Sequence, residues 1–243
     1  MMDLTGQVAV VTGGNQGIGR AIASKLADLG CRLAICARNA EKLQAVEQEL
    51  SGRGVDVLAV PTDVSCESAV KDFFAAIRDR FGRVDILVNN AGAFDGGPID
   101  ELSLQAWNNV VGACLTGSFL CSREAFGMMK QQRSGRILNI GSISAQRPRA
   151  GSAPYASAKF GVWGLTQAIA IDGRPYGITC SCLHPGNVRV ERRIDSELTS
   201  DAEPMMEMET IATPAASMLT MTAAANSLDA TVLPRDQAYL ARG

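Results

Sequence analysis

The feature that most constrains this chain is a repeated alternation. Short apolar runs, "QVAVVT" (7–12), "RLAICA" (32–37), "DVLAVP" (56–61), "DILVNN" (85–90), "RILNIG" (136–141) and "ITCSCL" (178–183), alternate with longer stretches of helical periodicity. The runs are almost continuously apolar rather than alternately polar and apolar. A strand reads that way when both its faces are covered, as they are in a parallel sheet sandwiched between helices. The intervening stretches, roughly 17–29, 39–52, 66–81, 103–131, 155–173 and 207–221, supply those helices, and a weaker run, "ATVLP" (230–234), ends the series. The pattern predicts an α/β protein with a doubly wound parallel sheet of about seven strands, residues 1–243 forming one domain.

Composition narrows the function. Hydrophobic residues make up 47% and charged residues 20% of 243 positions, ample for a core. A net charge of -2 without a basic stripe argues against a nucleic-acid partner. The start, "MMDLTGQVAVVTGG", lacks a basic segment followed by an apolar one, and no apolar stretch reaches the ~18 residues of a membrane span. A cytoplasmic protein without a membrane partner is expected. The seven cysteines (Cys31, Cys36, Cys66, Cys114, Cys121, Cys180, Cys182) form no CxxC pair and sit mostly in apolar runs, so buried reduced thiols are expected. The single histidine, His184, leaves no HExxH helix or zinc triad, and no G-x-S-x-G elbow is present. Neither a metal site nor hydrolase chemistry is expected.

Directly after the first strand comes "TGGNQGIG", from Thr12 through Gly13, Gly14, Asn15, Gln16, Gly17 and Ile18 to Gly19. Glycines let the backbone turn tightly and approach a pyrophosphate, while the next helix offers free N–H groups and its positive dipole end. The second strand ends in Ala37 and is followed by Arg38 rather than a carboxylate. A carboxylate there would hold ribose hydroxyls and repel a 2'-phosphate; arginine can bind that phosphate with a charge-assisted fork. NADP(H) is therefore favoured, with NAD(H) the alternative if Arg38 merely stacks on adenine.

A second pattern is "YASAK", which places Tyr155 and Lys159 four residues apart, one above the other on a helix face. A cation beside a phenol favours the phenolate and brings it toward useful acid/base chemistry. The spacing alone also fits two residues that merely share a helix face.

Taken in order, "TGGNQGIG" (12–19), "NNAG" (89–92), Ser142, "YASAK" (155–159) and "HPGNV" (184–188) closely resemble the short-chain dehydrogenase/reductase family, over roughly residues 5 to 190. Ser142 lies thirteen positions before Tyr155, as the family pattern has it. The resemblance implies a Rossmann-type fold and hydride transfer between NADP(H) and a small carbonyl or secondary alcohol. It implies Tyr155 as general acid/base, Lys159 as the cation that tunes it and holds the nicotinamide ribose, and Ser142 as hydrogen-bond donor to the reacting oxygen. It places Gly13, Asn15, Gln16, Gly17, Ile18, Gly19, Arg38, Asp63, Val64, Asn90, Ala91 and Gly92 on the cofactor, with Pro185, Gly186 and Val188 near the nicotinamide.

Two positions depart from the family pattern. Cys114 stands seven residues after Trp107, where a relay asparagine is usual, and Val190 stands where a threonine often contacts the nicotinamide carboxamide. They leave open an impaired, cofactor-binding scaffold or redox sensor. The substrate is likewise open among simple ketones, 3-oxoacyl thioesters, sugars and steroids.

Residues 189–216 mix arginines, acids and the cluster Met205, Met206 and Met208, which suggests a lid over a cleft. Arg147, Arg149, Arg189, Arg192 and Arg193 suggest either an anionic substrate or a solvated basic rim. His184 is expected to be structural. Ser152 is expected to cap the helix carrying Tyr155, with Pro154 in its first turn. That helix and "WNNVVGACLTGSFLCSREAFGMM" are apolar nearly all round, which with the resemblance points to a homotetramer or a homodimer.

Overall fold

The computed structural model describes residues 2–191 and 203–239. One parallel sheet carries seven strands in the order β3-β2-β1-β4-β5-β6-β7. The strands are β1 (Val8–Thr12), β2 (Arg32–Ala37), β3 (Val57–Pro61), β4 (Ile86–Asn89), β5 (Gly135–Ile140), β6 (Ile178–Pro185) and β7 (Asp229–Val232). Between them run α1 (Gly17–Asp28), α2 (Ala40–Gly52), α3 (Glu67–Phe81), α4 (Leu104–Val111), α5 (Gly117–Gln132), α6 (Ala153–Gly173) and α7 (Met208–Leu219). The predicted doubly wound Rossmann-type sheet is the fold found.

Burial explains which strands were easy to read. Every residue of β1, β4 and β5 is buried, so both faces of each are covered and most of their residues are apolar. β7 closes the sheet as an edge strand with alternate residues exposed, hence its weaker signal. One core layer packs Ile22 and Leu26 of α1, Leu43 and Leu50 of α2, and Ile211 and Ala215 of α7 against the sheet. The opposite layer is built on Phe73, Phe74 and Ile77 of α3 and on Cys121, Ala125 and Met129 of α5.

Two local expectations change. The stretch 103–131 is not one helix: Ser103 caps α4 by accepting from the Ala106 N–H at 3.1 Å, and a π-helical turn, Gly112–Thr116, separates α4 from α5. At the junction a Cβ on Gly117 would lie 2.6 Å from Val64 Cγ2, so the backbone runs closer to the loop after β3 than any side chain would permit. Ser152 does precede α6, but its hydroxyl turns back to donate to the Arg149 carbonyl at 2.6 Å and caps nothing in the helix. In the stretch read as a lid, residues 192–202 lie outside the described residues. Beyond them Met206 is buried, bridging to Val188, and from Met208 the chain is a core helix lying along α1.

The order of strands reverses direction between β1 and β4, and the loops at the carboxyl ends of these two strands diverge there. In open α/β sheets that crevice is where ligands bind.

Candidate active site

The crevice is lined on one side by the glycine loop. Gly13 and Gly17 adopt positive φ, 65° and 56°, which an L side chain rarely tolerates. A Cβ on Gly13 would sit 2.8 Å from Asn90 Nδ2, and one on Gly19 would collide with the Gly13 carbonyl and Asn90. Asn90 is the clasp: its Nδ2 donates to the carbonyls of Thr12 and Gly13 at 3.0 and 3.2 Å. The Thr12 hydroxyl in turn accepts from the backbone N–H groups of Asn90 and Ala91, both at 3.0 Å. α1 starts without a side-chain cap, leaving its first N–H groups directed into the crevice.

One of those groups already holds an anion. The Gly17 N–H donates to the Glu191 carboxylate at 3.2 Å, the geometry a pyrophosphate oxygen would adopt. Sequence reasoning missed Glu191, because its partner lies 174 residues away. It also missed Lys42, whose Nζ donates to Gln16 Oε1 at 3.1 Å. Lys42 lies one turn beyond Arg38, and that spacing was the available signal. The Asn39 side chain caps the same turn by accepting from the Lys42 N–H at 2.8 Å.

Two neighbouring cavities follow from this frame. The larger, about 570 Å³, is bordered by Gly13, Gln16, Gly17 and Ile18 at one end and by Ser142, Tyr155 and Lys159 at the other. Pro185, Gly186, Val188 and Val190 form part of its wall. The smaller, about 300 Å³, is lined by Arg38, Asp63 and Ser65, and Ala93 and Phe94 border both. Burial disfavours the Asp63 carboxylate, but hydrogen bonds from Ser65 and the nearby Arg38 charge outweigh it and hold its pKa below the ordinary value. Among the residues expected at the cofactor, Asn15, Gly19 and Val64 line neither cavity. Gly19 packs beneath the loop and Val64 belongs to the core, so their contributions are to shape.

At the chemical end α6 presents Tyr155 and Lys159 on one face, as their spacing requires. Lys159 is 5% exposed, and its ammonium donates to the Ile140 carbonyl at 2.7 Å and lies 5.6 Å from the centre of the Tyr155 ring. Burial opposes its charge, yet the surrounding Tyr155, Cys114 and Cys182 outweigh that and raise its pKa, so the cation persists. Ser142 Oγ accepts from the Ser144 N–H at 3.1 Å, which leaves its hydroxyl hydrogen free to be donated into the cavity. Phe94 meets the Tyr155 ring edge-on at 5.3 Å.

His184 fixes the Ser142 backbone from behind the wall. Its Nδ1 lies 3.0 Å from the Ser142 carbonyl oxygen and 3.4 Å from the Ser142 backbone nitrogen. The imidazole is fully buried, packs edge-on against Trp163, and does not line the cavity, as expected of a structural residue. Gly141 makes room for it: a Cβ there would lie 2.6 Å from His184 Nδ1 and 2.7 Å from Cys182 Sγ.

Cys114 sits in the π-helical turn, 1% exposed, with its thiol donating to the Ala93 carbonyl at 3.4 Å. It does not line the larger cavity. Its carbonyl accepts from the Ser118 hydroxyl at 2.7 Å. Cys114 meets the site from behind: it shares a small packed cluster with Ala93, Ala158 and Tyr155, its Sγ would lie 3.1 Å from a Cβ on Gly92, and it acts electrostatically on Lys159.

Comparison with known proteins decides the family. The model of the short chain dehydrogenase family matches residues 7–201. This chain belongs to that family. It is 40% identical over 185 residues to the hydroxy(phenyl)methylsuccinyl-CoA dehydrogenase subunit BbsD of Thauera aromatica, covering 76% of this chain and 74% of that protein. It is 35% identical over 208 residues to a 3-oxoacyl-acyl-carrier-protein reductase of Synechocystis, covering 85% and 83% of the two chains. A variant of actinorhodin polyketide ketoreductase, solved with NADPH, superposes with a TM-score of 0.88 at 30% identity, covering 98% of this chain and all of that one. As a short-chain dehydrogenase, the chain keeps the family's glycine loop and its Ser142, Tyr155 and Lys159 around one crevice.

Proposed function

We propose that this short-chain dehydrogenase reduces a carbonyl to a secondary alcohol, and runs the reverse oxidation, with NADP(H) as hydride carrier. The observation that carries the reading is that Ser142, Tyr155 and Lys159 border the same cavity as the glycine loop. The residues fit a dinucleotide: the positive-φ glycines open a cradle, the α1 N-terminus already holds a carboxylate, Lys42 supplies a cation at Gln16, and Arg38 supplies one at the smaller cavity. When bound there, the nicotinamide supplies or accepts the hydride.

The chain's own residues manage the proton. In the reducing direction Tyr155 Oη gives its proton to the carbonyl oxygen and becomes a phenolate. The Lys159 ammonium, held by Ile140, stabilises that phenolate. Ser142 donates a hydrogen bond to the same oxygen as negative charge gathers on it, in a position set by Ser144 and His184. Phe94 shields one edge of the Tyr155 ring, which limits water beside the acid. Oxidation reverses each transfer.

The substrate class that the relatives favour is a 3-oxoacyl thioester, since a 3-oxoacyl reductase and a polyketide ketoreductase are among them. Phe119 of α5 and Phe160 and Ile171 of α6, all well exposed, support self-association through these helices. The reading is tested by mixing the protein with NADPH and a neutral 3-oxoacyl thioester. Consumption of NADPH with formation of the 3-hydroxy product supports it, and NADPH binding without consumption over a broad ketone panel contradicts it.

A further inference from the structure

The arginines flagged in the sequence have different fates. Arg147 stacks over the Tyr239 ring at 5.1 Å, and Arg189 pairs with Glu207 on an exposed surface. Arg192 and Arg193 lie outside the described residues. Arg149 alone among the described three lines the larger cavity, where Lys159 is the other cation.

The Arg149 turn is tightly built. Its N–H donates to Ser152 Oγ at 3.2 Å, its carbonyl accepts from the same hydroxyl at 2.6 Å, and Ser152 is 5% exposed. The next glycine, Gly151, has φ 68° and accepts from the Gly97 N–H at 2.9 Å. The side chain is equally fixed, since Nη2 donates to Asn187 Oδ1 at 3.3 Å and to Glu203 Oε2. Among the described residues, nothing accepts from its Nε or Nη1. An arginine offers five N–H donors in a planar fork, so more than half of this one's capacity is unspent at the wall of a catalytic cavity.

Glu203 holds the arginine in reserve. Its Oε2 also accepts from Asn187 Nδ2 at 2.7 Å and Gln237 Nε2 at 3.4 Å, so it keeps partners when Arg149 turns away. Asn187 in turn is held from its backbone, its N–H donating to Gln237 Oε1 at 3.0 Å. The nicotinamide-side turn, the C-terminal stretch and Glu203 together form a fixed bracket behind the guanidinium.

From this geometry we infer that Arg149 is a specificity-determining residue that binds an oxyanion on the carbonyl substrate, through its unspent Nε and Nη1 donors and the Nη2 that Glu203 holds in its absence. The inference rests on the reductase reading above and names the substrate's charge. The oxyanion is either a carboxylate close to the reacting carbonyl or a phosphate of a thioester carrier.

Four substrates separate the sources: acetoacetate, its neutral ethyl ester, acetoacetyl-CoA, and neutral acetoacetyl-N-acetylcysteamine. Arg149→Gln should raise KM by about tenfold or more for one anionic substrate relative to its neutral counterpart, with kcat little changed. An effect on acetoacetate assigns a carboxylate; an effect on the CoA thioester assigns a phosphate. Glu203→Gln removes the competing charge and should lower KM for that same substrate. A merely structural ion pair would move both variants in the same direction and on all four substrates alike. Parallel changes, no change, or turnover of the neutral substrates alone would overturn the inference and leave the reductase reading intact. No turnover of any of the four would overturn that reading, and the inference with it.

Discussion

The backbone N–H of Gly17 and the carboxylate of Glu191 meet at 3.2 Å, at the end of α1 where a dinucleotide's pyrophosphate would seat. An anion gains from the positive end of a helix, so Glu191 competes with the cofactor for the same donors and repels it as well. Glu191→Gln should lower the Kd for NADPH by roughly two- to fivefold. Fluorescence titration at two ionic strengths checks this, and the advantage of the variant should shrink in high salt.

Lys42 lies four residues beyond Arg38 and reaches the glycine loop by its bond to Gln16. If both cations meet the 2'-phosphate, Lys42→Ala should weaken NADPH by about two- to fivefold while leaving NADH unchanged, and Arg38→Ala should do so more strongly. Paired titrations with the two nucleotides give the ratio directly.

His184 gives stability a pH dependence of defined sign. Burial lowers its pKa from the usual 6.5, against the opposing effect of the Ser142 backbone. Below 6.5 the unfolded chain takes up a proton that the folded chain refuses until lower pH. Stability from this residue is therefore complete above that value and lost as pH falls through the window beneath it. Between about pH 7.5 and 5.5 the wild type should lose roughly 2–4 °C of Tm more than His184→Gln does. A thermal melt of each protein at the two pH values reads the difference in slope.

The cysteines divide cleanly. Cys31, Cys121 and Cys182 have thiol pKa values pushed up to about 12 by burial, and Cys36 and Cys180 are likewise raised. Cys66 is exposed at the start of α3, where hydrogen bonds from Ser68 and Ala69 lower its pKa. Native protein should react with a thiol reagent rapidly at one equivalent, which Cys66→Ser abolishes, and the remaining six should react only on unfolding. Here the expectation of buried thiols holds for six cysteines and fails for Cys66, which precedes α3 on an exposed turn rather than within an apolar run.

How much was legible follows from range. The interior strands could be read because burial on both faces leaves a local signature, as in β1 and β5. The break at Gly112–Thr116 could not, because it depends on Gly117 meeting Val64 from another part of the chain. Tyr155 and Lys159 share a face by local spacing, and Ser142 could be placed with them only through the family pattern. Glu191, Lys42 and Glu203 act across distances of 174, 26 and 54 residues, and no periodicity encodes such pairings. Arg149 was visible among five arginines but became distinct only when the cavity wall was known.

The most direct measurement is single-turnover reduction by Tyr155→Phe with NADPH bound. The substitution removes only the hydroxyl and keeps the ring that packs on Phe94. NADPH affinity should stay within about twofold of wild type while the rate of carbonyl reduction falls by roughly 10²–10⁴-fold, the usual worth of a positioned general acid. A variant that binds NADPH normally and reduces the carbonyl at an undiminished rate would contradict Tyr155 as the proton donor.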